Sequence, residues 1–297
     1  MSSFLSKLAP LVITLRGSKR MFRSEKRTLA RVARLQEHPD RFDPPAALRR
    51  SHSVTHSDAS GWPVYTVSPR DAPAGRHALY LHGGCYVFEI DPIHWALIGK
   101  LATEAGVTVT VPIMPLAPSG TASAVVPGVA DLVASLIAEH GAQNLSIVGD
   151  SSGGGMALAV AMELRDRGLG PLRATVLIAP WLDTSATDPQ LAVIAPRDPW
   201  LAVPGTHAAG LLYRAELPED DWRVSPIHGS LKGLAPITMF SGTRDILHAD
   251  ATRFIPLALK AKLPVDYFVG EGMIHNYPIL PMPEGDAARA VIVKAIR

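Results

Sequence analysis

The sequence predicts an α/β fold, with a mostly parallel sheet covered by helices on both faces. Three observations carry that expectation. Apolar runs of strand length at 77–81, 107–111, 145–148, 173–179, 236–241 and 264–269 alternate with longer helix-forming stretches. Strands separated by helices pair in parallel and are buried on both sides. Residues 145–160, LSIVGDSSGGGMALAV, pass from an apolar strand into a helix through a cluster of glycines, the small residues that so sharp a turn needs. The chain has 297 residues, 47% of them hydrophobic and 19% charged, enough to bury the core of a two-faced sheet.

Composition also excludes several classes. A formal net charge of +2 gives no bulk attraction to nucleic acid. The single cysteine, Cys85, rules out an intrachain disulfide framework and fits a reducing cytoplasm, the expected location. No run comes near the ~20 apolar residues of a membrane span. The apolar run 8–15 is followed, not preceded, by Arg16, Lys19, Arg20 and Arg23. That order is the reverse of a secretory signal, so none is expected.

Residues 1–50 are basic, with twelve Lys and Arg against four Asp and Glu. A helix is expected over 24–36, with Leu29, Val32, Ala33 and Leu35 on one side. Such a basic amphipathic helix can lie on an anionic membrane. The plainer expectation is that its apolar side packs on the body of the protein. Asp43-Pro44-Pro45 closes the region. Strands follow at 51–56 and 62–67, joined by a turn at 57–61, with a second turn at 68–75. The strand at 77–81 ends in His82-Gly83-Gly84-Cys85-Tyr86. Glycines there bring backbone N–H groups to the edge of the sheet where reactive groups of such folds gather. Pro92 opens a helix over 92–105, and another helix spans 124–140.

The turn after residue 148 is the most specific signal. Gly149-Asp150-Ser151-Ser152-Gly153 fits G-x-S-x-G, the nucleophile elbow. It lacks the Lys of a phosphate-binding loop and the G-x-G-x-x-G spacing of a dinucleotide site. Together, His82-Gly83-Gly84 and Gly149-Asp150-Ser151-Ser152-Gly153-Gly154 resemble the hormone-sensitive-lipase family of α/β-hydrolases, the bacterial type IV esterases. Members carry H-G-G-G and G-D-S-A-G-G. Here Cys85 replaces the third Gly and Ser152 the usual Ala. Pro112 to Pro118 resembles the family's Y-x-L-A-P-E loop, and Pro180-Trp181-Leu182-Asp183 its P-W-x-D.

The remaining expectations follow from that resemblance, which covers residues 77–280. It implies an α/β-hydrolase fold with a helical cap. Residues 1–50 would form the N-terminal part of the cap and 184–224 a cap insertion. The core would comprise 51–183 and 225–297. The insertion breaks the strand–helix rhythm and carries Trp200, Leu201, Leu211 and Leu212, which need a surface to cover; a helix is expected at 206–214. The triad order of this fold is Ser, acid, His. Asp245 and His275 follow strands in that order and resemble D-x-L-x-x-D and G-x-H-x-F. The implied triad is Ser151, Asp245 and His275, with oxyanion donors from the N–H groups of Gly83, Gly84 and Ser152. His248 is expected on the helix after Asp245, and Asp250 to cap or tether it. Asp150 is read as structural. Expected substrate contacts are Cys85, Trp181 and Ile274. The expected function is hydrolysis of short-chain acyl esters. A lactone or acetyl hydrolase is the alternative with the same triad, and a non-catalytic binding protein the alternative of another class. No cofactor and no metal are required. The expected partners are a small-molecule ester or lactone, membrane-surface contact through the basic N-terminus, and a second copy in a homodimer, but no nucleic acid.

Overall fold

The computed structural model describes residues 3–58, 60–71 and 75–297. The expected turns at 57–61 and 68–75 therefore fall partly outside the described residues. The N-terminal helices are α1 (Phe4–Arg16), α2 (Ser18–Phe22), α3 (Glu25–Glu37) and α4 (Ala46–Ser51). Then come β1 (His52–Ser57), β2 (Val64–Pro69), β3 (His77–Leu81), α5 (Pro92–Ala105), β4 (Thr108–Pro112) and α6 (Ala122–His140). They are followed by β5 (Leu145–Asp150), α7 (Ser152–Asp166) and β6 (Ala174–Ile178). The insertion holds α8 (Gln190–Ile194) and α9 (Val203–Arg214). The chain ends in β7 (Ile237–Arg244), α10 (His248–Lys260), β8 (Val265–Ile274) and α11 (Pro283–Ile296).

Among the described residues, eight strands form one sheet in the order β1-β2-β4-β3-β5-β6-β7-β8. β2 is antiparallel to both its neighbours, and the pairs from β4 to β8 are parallel. Side chains alternate between two cores, as the pleat requires. Leu79, Leu81, Ile147 and Leu177 join the apolar residues of α6, α7 and α10. Ala78, Tyr80, Val148 and Val176 join those of α5 and α11. Local signals set the bounds well where they are strong. Asp91 caps α5 by accepting from Ile93 N–H at 2.8 Å, Pro92 opens it, and Gly106 ends it at φ 66°.

Three expectations need correction. First, the turn at the elbow is a single residue. β5 runs on to Asp150 and α7 starts at Ser152, so Gly153 and Gly154 are helical. A Cβ on Gly153 would run into the carbonyls of Leu81 and His82, so α7 can lie this close to β3 only with glycine there. Second, α6, with 19 residues, is long and apolar enough to cross a membrane by composition. Its Val125, Val129 and Val133 are buried, and that face packs on α7 and β5. Third, residues 1–50 do not form one piece of cap. The apolar side of α3, with Thr28, Val32 and Leu35, is buried, and α3 packs against α9. α4 instead packs on α5 and on β1, the edge strand of the sheet, with Leu48 buried.

Candidate active site

Ser151 stands alone between β5 and α7 at φ 55° and ψ −123°, a strained backbone for a residue with a side chain. Neighbouring strands hold it there. Its N–H donates to Ile178 O at 2.8 Å, and its carbonyl accepts from Trp181 N–H at 2.9 Å. The hydroxyl lies 3.1 Å from His275 Nε2. His275 follows β8 directly, and its Nδ1 lies 2.8 Å from Asp245 Oδ2. Asp245 follows β7, and its other oxygen accepts from Leu247 N–H at 2.9 Å. All three side chains are buried. Burial opposes charge on His275, but Asp245 first, and Asp198 and Asp150 after it, outweigh burial and raise its pKa above 6.5. A serine hydroxyl beside a basic imidazole oriented by a carboxylate can pass its proton to that ring as it attacks a carbonyl.

The second carboxylate near His275 comes from the insertion. Asp198 Oδ2 accepts from Ile246 N–H at 2.9 Å, while Oδ1 accepts from Trp200 N–H at 2.7 Å and Leu201 N–H at 2.9 Å. The Trp200 ring meets His275 edge-on, with centroids 5.6 Å apart. Burial, and then the charge of Asp245, push the Asp198 carboxyl up to about 6. Sequence reasoning missed this residue. Its only local signal is Asp198-Pro199, which reads as an ordinary turn.

One of the three N–H groups that the resemblance implies as oxyanion donors already has a partner. Gly83 N–H donates to Asp150 Oδ1 at 3.1 Å and is therefore engaged. Among the described residues, no hydrogen-bond partner appears for the N–H groups of Gly84, Cys85 and Ser152. Asp150 is structural, as expected, and it joins four segments. It accepts from Tyr80 OH at 2.6 Å and Asn276 Nδ2 at 2.7 Å, and it lies 3.3 Å from His94 Nε2. Burial opposes charge on Asp150, but the His94 charge and these hydrogen bonds hold its carboxyl down to about 2. Burial likewise opposes charge on His94, and Asp150 outweighs it, pushing the ring up to about 10. The Ser152 hydroxyl accepts from Tyr86 N–H at 3.3 Å, tying the glycine loop to α7.

A cavity of about 370 Å³ opens over Ser151 and His275. Its apolar wall comes from Met21 and Phe22 of α2, Phe88, Trp200, Leu201 and Ile279. Cys85, one of the three expected substrate contacts, lines it, and burial, followed by the charge of Asp245, pushes its thiol up to about 12. The other two expected contacts lie elsewhere. Trp181 is buried, stacked on Tyr86 at 5.6 Å, with Nε1 donating to Asp183 O at 2.9 Å. Ile274 is the last residue of β8, opposite Arg244, and its side chain belongs to the sheet core. His248 begins α10 and contacts Ser241 Oγ at 2.8 Å. Asp250 lies in the first turn of α10 and tethers that helix, the second of its two expected roles. It accepts from Leu182 N–H at 2.9 Å and Asp183 N–H at 3.0 Å, pinning the chain after β6.

The family described by the alpha/beta hydrolase fold matches residues 78–279. The chain is 32% identical to a triacylglycerol lipase of Mycobacterium tuberculosis over 80% of its own length, and it spans about half (50%) of that relative. It is 30% identical to an ethyl acetate hydrolase of Pseudomonas putida, covering 82% of this chain and 81% of the other. A solved esterase from the bacterial hormone-sensitive lipase family superposes with a TM-score of 0.77 at 26% identity, covering 92% of this chain and 97% of that one. The strand order, the elbow and these matches agree, and the chain belongs to the α/β-hydrolase family, in its hormone-sensitive-lipase branch of carboxylesterase-type enzymes.

Proposed function

We propose that the protein hydrolyses short-chain carboxylic esters through an acyl-enzyme on Ser151. The observation that carries this is the unbroken relay from Ser151 Oγ to His275 Nε2 at 3.1 Å and from His275 Nδ1 to Asp245 Oδ2 at 2.8 Å, under an apolar cavity. His275 takes the Ser151 proton as Oγ attacks the ester carbonyl. Asp245 fixes the tautomer and stabilises the imidazolium. The oxyanion is held by the N–H groups of Gly84, Cys85 and Ser152, each worth roughly 3 kcal/mol of barrier. His275 then gives its proton to the leaving alcohol, and water, activated by the same ring, releases the acid. The cavity volume of about 370 Å³ supports a small acyl group, since it lies near the lower end of the ~300–1,000 Å³ of small-ligand sites.

The test is turnover of p-nitrophenyl acetate and butyrate by the purified protein. Ser151→Ala should lower kcat by about a thousandfold or more while leaving the fold intact. A folded Ser151→Ala protein with near wild-type turnover would overturn the proposal. Lactones and acetylated amines in the same panel separate the neighbouring substrate classes.

A further inference from the structure

The geometry points to α1 as a docking helix that lies on an anionic lipid surface, beside the mouth of the cavity. α1 is packed with its apolar face outward. Ser6, Pro10 and Ile13 face the body, whereas Phe4, Leu5, Leu8, Leu11, Val12 and Leu15 are exposed, Phe4 at 75% and Leu15 at 78%. At about 100° per residue, those six fall within an arc of roughly 120°. A helix of a folded domain ordinarily turns such a stripe inward, and contiguous exposed apolar surface marks an interaction site.

The orientation is fixed from the other side. Ser3 Oγ donates to Glu284 Oε2 at 2.8 Å and Ser6 Oγ to Glu284 Oε1 at 3.0 Å, tying the helix to α11. Ile13 is buried in the core shared with α5 and α11. The side of α1 that carries Ser6, Pro10 and Ile13 is thus committed to the body, and the apolar stripe faces outward. The basic amphipathic helix α3 does not compete for the role, because its apolar side is covered by α9.

Length and charge identify the occupant. The 13 residues of α1 span about 20 Å, too short for the ~30 Å hydrocarbon core. An apolar-faced helix of that length lies in the interface plane. Residues 1–24, which hold α1 and α2, carry five Lys and Arg and no Asp or Glu, while the whole chain is only +2. Lys7, Arg20 and Arg23 are exposed on and just after α1. That excess complements anionic headgroups. In a two-fold pairing of this face with a second copy, it would oppose like charge to like charge. The placement also has a consequence. Gly17, Ser18, Met21 and Phe22, immediately after α1, line the cavity over Ser151. A docked α1 opens that cavity onto the lipid surface, where uncharged esters concentrate. The docking itself does not depend on the esterase reading.

The experiment is co-sedimentation of the full-length protein with vesicles of phosphatidylcholine alone or mixed with phosphatidylglycerol. Binding is expected to the mixed vesicles and to weaken in about 0.5 M salt. Leu11→Glu with Leu15→Glu should weaken it by about tenfold or more, with an unchanged melting temperature. Phe4→Ala with Leu15→Ala, which leaves charge unaltered, should weaken it less. Absence of binding to the mixed vesicles would overturn the proposal, and so would equal binding by the Leu11/Leu15 variant or equal binding to neutral vesicles. A wild-type dimer by light scattering that the same variant dissociates would overturn it too, because the face would then belong to a second copy. Esterase activity enters none of these readouts, so failure of the catalytic proposal is told apart.

Discussion

Asp198 and Asp245 are two buried carboxylates on neighbouring loops. Asp198 accepts from Ile246 N–H, one residue beyond Asp245, at 2.9 Å. The ring between them and Ser151 feels both charges. Burial lowers the pKa of His275, while Asp245, Asp198 and Asp150 raise it, and the net shift is upward. A general base must be neutral to accept the serine proton, so activity should fall with decreasing pH through a midpoint above the ordinary 6.5 of imidazole. Asp198→Asn removes one of the raising charges and should move that midpoint down. The Asn carbonyl can still accept from Trp200 and Leu201. The kcat/KM–pH profile of the two proteins checks this. An unchanged midpoint with uniformly reduced activity would mean that Asp198 acts only by holding its loop.

Between the elements, Asp150 makes a junction where the ends of β3 and β5, the start of α5 and the loop after β8 meet on one carboxylate. Removing one side of a buried ion pair costs about 3–5 kcal/mol, because the other charge is left without a partner. His94→Gln keeps a donor near Asp150 and should cost less, about 1–3 kcal/mol. The dependence on pH has a definite sign. The folded pKa of His94, about 10, stands above the unfolded 6.5, so its contribution is full below 6.5 and is lost as pH rises through about 10. Denaturant titrations should therefore show the gap between wild type and His94→Gln closing on the alkaline side. A gap independent of pH would mean that the ring is neutral in the fold. What could be read in advance follows the same division between local and long-range order. β3 and α5 fall on their expected residues because caps, glycines and apolar runs mark them. Ser151, Asp245 and His275 were legible because each sits in a short motif at a strand end. Met21 and Phe22 were not, because they reach the cavity from a short helix that carries no pattern of its own, whereas Trp200 was read only as an apolar residue of the insertion in need of a surface. Gly83 was misassigned because a motif gives residue types, and only the fold shows that the Asp150 carboxylate already holds its N–H. The extra length of β8 was hidden because it is an edge strand whose residues from 265 to 272 are largely exposed.

At the scale of the whole molecule, two distant parts of the chain close over one edge of the sheet. α3 packs on α9, and a Cβ on Gly205 of α9 would meet Phe22 and Thr28, so the N-terminal helices and the insertion share one close seam. Phe22 belongs to both sides of that arrangement. It is buried in the core, lies edge-on to Phe88 with centroids 6.0 Å apart, and lines the cavity. A cavity walled in part by these segments limits chain length. Each methylene of the acyl group that finds apolar wall gains ~0.8 kcal/mol, about fourfold in kcat/KM, until the space is filled. Beyond that, further carbons must displace the cap. The expected profile for p-nitrophenyl esters rises to a maximum at about two to six acyl carbons and then falls. Phe22→Ala removes a wall while leaving Ser151 and His275 in place, so its maximum should move to longer chains. The cavity it creates should cost about 3–5 kcal/mol of stability, so the comparison belongs well below the melting temperature of the variant. It is a cleaner test than deleting residues 1–40, which would strip α9 of the helix that covers it. If wild-type kcat/KM climbs steadily from acetyl to palmitoyl, the cavity is an open groove, and the cap does not set the length of the substrate.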